Sequence, residues 1–144
     1  RSTPLAGGDA RVGTVEHVLA AVSGCGIDNI IIEIDAEEVP IADGRFAPFF
    51  QALHTAGLQS QKEPARVLEL KDTVRAKGPA GATYVAVPDD SYRLATTIEF
   101  PHPLIGRQFA AFDVNCDEFA RELASARTFG FMRDAEELRA RGLV

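Results

Sequence analysis

Residues 57–64 (GLQSQKEP) show no apolar periodicity and close on a proline, and this break limits what the rest of the chain can build. It cuts 144 residues into two pieces, so the sequence fits one compact domain or two very small ones. With 46% hydrophobic and 25% charged residues, the composition is that of an ordinary globular protein, not a disordered or fibrous one. A net charge of −6 leaves no basic footprint for nucleic acid. No apolar run approaches the roughly 20 residues of a membrane helix, and no charged-then-apolar leader opens the chain. Cys25 and Cys116 lack CxxC spacing, which suits a reducing compartment and excludes a disulfide scaffold or a cysteine-built zinc site.

Before the break, residues 1–13 hold Pro4, Gly7, Gly8 and Gly13 and read as a loop or edge segment. Thr14 is predicted to cap a helix carrying Val15, Val18, Leu19 and Val22, which Gly24 and Gly26 end. Residues 29–35 (NIIIEID) are β-branched and nearly continuous, the pattern of a buried strand. A turn-bearing connection over 37–44 leads to a second helix with Phe46, Phe49, Phe50 and Leu53 on one face, ending at Gly57.

Beyond the break, strands are predicted at 66–71, 83–87, 92–100 and 108–114, with turns at 78–81 and 88–90. Asn115 can cap a helix with Glu118 at the capping-box position and Phe119, Leu123 and Ala126 on its apolar side. A last short helix ends near Arg141. The pattern is α+β, helices packed on one side of mostly antiparallel or mixed sheets. Arg at position 1 and an apolar end just after Gly142 predict a trimmed or partly represented chain, with part of the fold beyond residue 144.

The pair Glu16-His17 has the most chemical content. Both residues fall in the first turn of the first helix, about 100° apart and off the Val15, Val18, Leu19, Val22 stripe. The positive helix N-terminus favours an ionised carboxylate, which can take a proton from water, and a neutral imidazole, which can bind a metal. An exposed helix start with two ordinary polar residues satisfies the same spacing. One histidine cannot hold a catalytic zinc, which needs about three protein ligands. His54, beside the Phe-rich helix, and His102, between two prolines, add no HxxxD, HxxH or HExxH spacing.

Thr128-Phe129-Gly130-Phe131-Met132 is the second candidate. A threonine hydroxyl there can donate to an oxyanion, and two rings flanking a glycine can stack on a sugar or line an acyl channel. A plain aromatic packing turn is the alternative. Arg121, Arg127, Arg133, Arg139 and Arg141 could meet a diphosphate or simply pair with Glu122, Glu136 and Glu137.

Thr14-Val15-Glu16-His17, Gly26-Ile27-Asp28-Asn29, Val39-Pro40-Ile41-Ala42-Asp43-Gly44 and Ala47-Pro48-Phe49 occur in an order that resembles the UDP-3-O-acyl-N-acetylglucosamine deacetylases. Residues 126–134 (ARTFGFMRD) and Arg141-Gly142-Leu143 resemble the same family's second domain. The resemblance implies two similar small α+β domains, here 1–60 and 65–144, with sheets outside, helices packed between them and the second domain incomplete. It implies a zinc hydrolase that removes the N-acetyl group from a UDP-linked acylated glucosamine, the committed step of lipid A synthesis. Glu16 matches the general base, His17 one Zn²⁺ ligand, Thr128 the hydroxyl that stabilises the oxyanion, and Phe129 a ring against the sugar. Asp43 lies in a matching motif without an assigned role. A monomeric cytoplasmic enzyme, free of nucleic acid and of integral membrane segments, is the implied setting.

The family's remaining zinc ligands come from a His-x-x-x-Asp motif and its general acid from a later histidine, none of which occurs here. Its opening strands are also short or absent. The isolated chain is therefore expected to bind zinc weakly and turn over nothing. Two competing expectations are a non-catalytic binding module that keeps the fold, and a different metal hydrolase in which His17, His54 and His102 converge.

Overall fold

A computed structural model of the chain describes residues 3–140 and Gly142. Of the C-terminal motif only Gly142 falls among them, and the predicted helix end at Arg141 lies outside the described residues. The order is β1 (Leu5–Gly7), β2 (Ala10–Val12), α1 (Glu16–Gly24), α2 (Ala47–Ala56), β3 (Val74–Lys77), β4 (Thr83–Ala86), β5 (Arg93–Phe100), β6 (Gly106–Asp113), α3 (Cys116–Glu118) and α4 (Met132–Ala140). A single π-helical turn, Phe119–Leu123, continues α3. The architecture is mixed α+β, and each sheet is an antiparallel hairpin: β1 with β2, β3 with β4, β5 with β6.

Both early helices lie where the periodicity puts them. Pro48 in the first turn of α2 costs no hydrogen bond, because that amide would have no intrahelical partner. Gly57 ends α2 at φ 78°, its N–H donating to the carbonyls of His54 and Leu53. Thr14 is not the cap of α1. Val15 holds that position, and Thr14 sits buried at φ 53° with its hydroxyl donating to Glu38. The left-handed backbone places Thr14 one residue outside the cap position, so its hydroxyl oxygen does not serve the helix's first amides.

Two predicted strands are not formed. Residues 29–35 and 66–71 form no strand pairing among the described residues, and Ile31 and Leu68 are each 90% exposed. A strand exists through its partner, so β-branched composition alone does not make one. Val74–Lys77 takes the place beside β4 because the turn at 78–81 fixes the register, Val74 opposite Ala86 and Lys77 opposite Thr83. The segment read as a loop or edge at 1–13 contains the β1–β2 hairpin, turning at Gly8 with φ 58°.

The core joins sequence from both sides of the break. Phe119 and Ala124 pack with Ala21, Cys25 and Phe50, and partly buried Phe46, Phe49, Leu53 and Leu123 close around them. Asn115 caps α3 by accepting from the Glu118 N–H at 2.9 Å, but the Glu118 carboxylate pairs with Arg121 and leaves the box half made. The Ala124 N–H bonds to the Phe119 carbonyl at 2.7 Å, five residues back. That widened turn brings Ala124 into the core and leaves Ala126, predicted on the apolar side, exposed. A second cluster, Val15, Val18 and Val39, sits under the start of α1.

The core is thin. The chain exposes 12202 Å², against about 7,200 Å² for a folded monomer of this mass. Gly24 marks its tightest point, where an added Cβ would lie 2.5 Å from the Phe119 ring. Alanine in place of a helical glycine ordinarily gains about 1 kcal/mol. Here Gly24→Ala is expected to cost about 1–3 kcal/mol by overpacking, read as a lower urea midpoint. An unchanged or raised midpoint would show that the ring moves freely.

Candidate active site

The left-handed kink at Thr14 aims the first turn of α1. The Val15 N–H donates to the Thr3 carbonyl at 3.2 Å, and the Thr3 N–H donates to Glu16 Oε2 at 3.1 Å. The N-terminal segment thereby crosses the helix start and tethers the Glu16 carboxylate.

His17 is only 4% exposed, which removes the exposed-helix-start alternative for this residue. The buried face of α1 comprises His17, Val18, Ala21, Val22 and Gly24, while Leu19, expected on it, faces outward. The imidazole lies 5.4 Å from the Phe46 ring, and its Nδ1 is buried with no hydrogen-bond partner. Leaving such an atom unsatisfied costs about 1–3 kcal/mol, the condition a metal ligand would be in before its ion arrives.

Asp43, Gly44 and Arg45 form a turn leading into Phe46. Asp43 Oδ1 accepts from the Arg45 N–H at 3.1 Å, and Oδ2 accepts from Arg45 Nε at 2.6 Å. The adjoining guanidinium holds the Asp43 carboxyl below its ordinary range, and Arg127 adds to the effect. Because the folded value is depressed, this pair stabilises fully above about pH 4 and fades as pH falls further. Burial and the nearby Cys116 push the Cys25 thiol upward, so at neutral pH it stays protonated and unreactive.

Thr128 arrives at the same turn from the other half of the chain. Its N–H donates to the Gly44 carbonyl at 3.2 Å, and an antiparallel bridge pairs Arg45 with Arg127. Gly44, at φ 78°, leaves the Thr128 methyl 3.7 Å from where a Cβ would be. The 43–46 turn thus touches His17 on one side, through Phe46, and Thr128 on the other.

Phe129 is 58% exposed and makes an aromatic cluster with Phe100 at 5.5 Å and Phe131 at 6.1 Å. Phe100, Pro101, His102, Phe131 and Met132 line a cleft of about 330 Å³ beside it. Glu16, His17 and Thr128 line neither that cleft nor the cavity of about 910 Å³ along Gly26–Ile30 and the 57–66 connection. Sequence reasoning named Phe131 with Phe129 but missed Phe100, which stands at the end of β5 opposite Gly106 and lies 5.7 Å from Phe131.

The histidines do not converge. His54 stacks on Phe50 at 5.6 Å, and His102 accepts from the Leu104 N–H through Nδ1 at 3.2 Å. Among the described residues no group of three or more His, Cys, Asp or Glu side chains can hold a metal ion. The described residues likewise include no helix long and apolar enough to cross a membrane.

Comparison with known proteins gives one answer throughout. The LpxC family model, UDP-3-O-acyl N-acetylglycosamine deacetylase, matches residues 1–144. Curated UDP-3-O-acyl-N-acetylglucosamine deacetylases from Brucella ovis and Teredinibacter turnerae are 45% and 42% identical over 99% of the chain. The chain spans about half the length of these relatives, 49% and 48% respectively. With a match running the whole length of its 144 residues, the chain belongs to the UDP-3-O-acyl-N-acetylglucosamine deacetylase family.

Proposed function

We propose that this chain carries part of the catalytic apparatus of a zinc-dependent hydrolase that removes the N-acetyl group from a UDP-3-O-acyl-N-acetylglucosamine in lipid A synthesis. The observation that supports it most is the buried, unpartnered Nδ1 of His17 directly after the tethered carboxylate of Glu16. The finer architecture proposed with it is two similar domains, 1–60 and 65–144, with sheets outside and helices between them. The packing of Phe119 against Ala21 and Phe50 supports that arrangement. The enzyme is proposed to be cytoplasmic and monomeric.

The zinc ion fits His17 but not the chain as a whole. His17 offers one imidazole, whereas a catalytic zinc needs about three protein ligands. With the ligand set completed, His17 would hold one side of such an ion, which would supply Lewis-acid polarisation to the reaction. Glu16 is the proposed general base. Among the described residues its Oε2 is engaged by Thr3, and the second oxygen can receive a proton from the attacking water. The Thr128 hydroxyl donates to the oxyanion that develops on the amide carbonyl. Phe129, exposed beside Phe100, offers its face to the sugar.

The incomplete ligand set favours a second reading, a binding module that keeps the fold without the metal. Zinc content and acetate release separate the two. The 144-residue chain alone is expected to hold well under one zinc and to release no acetate from the acylated UDP-sugar. A full-length deacetylase carrying this segment is expected to release acetate and to lose that activity to a chelator. Turnover by the short chain would overturn the ligand assignment, and an inert full-length protein would overturn the function.

A further inference from the structure

The turn between the two candidate site segments contains an ion pair to which the proposed chemistry gives no task. Ala42 has φ 52° and Gly44 φ 78°, so two left-handed residues fall within three positions. Alanine resists that region, and the turn needs a restraint to persist. The Gly44 N–H bonds back to the Ile41 carbonyl at 2.9 Å, and the Asp43 carboxylate takes both the backbone N–H and the guanidinium of Arg45. What this restrained turn presents outward is the Gly44 carbonyl, the acceptor for the Thr128 N–H.

We infer that Arg45 and Asp43 are positioning residues: their ion pair locks the 41–45 turn so that its Gly44 carbonyl seats Thr128 at a fixed place relative to the Phe46–His17 ring contact. Arg45 acts twice in this scheme. Its side chain closes the turn on Asp43, and its backbone bridges Arg127, the residue before Thr128. Arg127, bridged to Arg45 through the backbone, also helps to hold the Asp43 carboxyl low. Removing that carboxylate leaves Arg45 and Arg127 as like charges on paired backbone positions. The chemical importance of Thr128 rests on the proposed function, whereas the seating of Thr128 does not.

The test is amide hydrogen exchange on the 144-residue chain, read at Thr128 and, as a control for global opening, at Cys25, whose N–H bonds to the Ala21 carbonyl at 2.9 Å in the core. Arg45→Ala is expected to speed exchange at Thr128 by about tenfold, the scale of one net hydrogen bond, without moving Cys25. Arg45→Lys keeps the charge but not the fork and is expected to recover part of the protection. Asp43→Asn is expected to match or exceed Arg45→Ala. Unchanged exchange at Thr128, or an equal rise at both amides in Arg45→Ala and Arg45→Lys, would overturn the inference. In a full-length deacetylase, Arg45→Ala should lower kcat with KM little changed. If Thr128→Ala leaves kcat intact while the exchange result holds, the proposed role of Thr128 fails and its seating stands.

Discussion

Phe119→Ala is expected to destabilise the chain by about 3–5 kcal/mol, the range for deleting a buried aromatic side chain. The ring is 5% exposed and lies 5.3 Å from Phe50 and 6.1 Å from Phe46. It also covers Gly24 at the end of α1, so its loss opens a void among three elements at once. Domains of this size have about 5–15 kcal/mol in total, and the wide exposed surface here argues for the lower end. The variant should therefore show no cooperative urea transition, or one shifted to very low denaturant. A loss under about 1 kcal/mol would mean that the helices hold together without the ring.

Glu16→Gln carries the largest expected effect on chemistry. In a full-length deacetylase bearing this segment, kcat should fall by about 10²–10⁴, the usual contribution of a general base. The amide is isosteric, and its carbonyl oxygen can still accept from the Thr3 N–H, so fold and zinc content should not change. His17→Ala should instead lower the zinc content itself. Steady-state kinetics with metal analysis on both variants separates the two roles. Activity in Glu16→Gln within a few-fold of the parent would remove Glu16 from the mechanism.

Local patterning made the helices legible. Glycines at 24, 26 and 57 stop two runs whose apolar spacing is helical, and α1 and α2 form there. The long β5–β6 hairpin was legible for the same reason, with 92–100 and 108–114 expected against Arg93–Phe100 and Gly106–Asp113 observed. What failed depended on partners distant in sequence. Thr14 reads as a cap until Glu38 is known to stand beside it, and residues 29–35 read as a strand until the missing neighbour is noticed. The widened turn after α3 shifts the inward face from Ala126 to Ala124, and no residue in that stretch announces it.

The candidate site divides in the same way. Glu16, His17, Thr128 and Phe129 could be named from motifs, and the burial of His17 adds weight to the pair it belongs to. The seat under Thr128 could not be named. It depends on a contact between Gly44 and a residue 84 positions later (128 − 44), made through backbone groups that every residue carries.

The shared core also fixes an order of events during synthesis. Ala21, Cys25 and Phe50 leave the ribosome long before Phe119 and Ala124, the residues that cover them. Until those two emerge, the apolar faces of α1 and α2 lack the cover that Phe119 and Ala124 provide and are open to self-association. Folding of this segment is thus committed late, by its last third, well after Glu16 and His17 have been made.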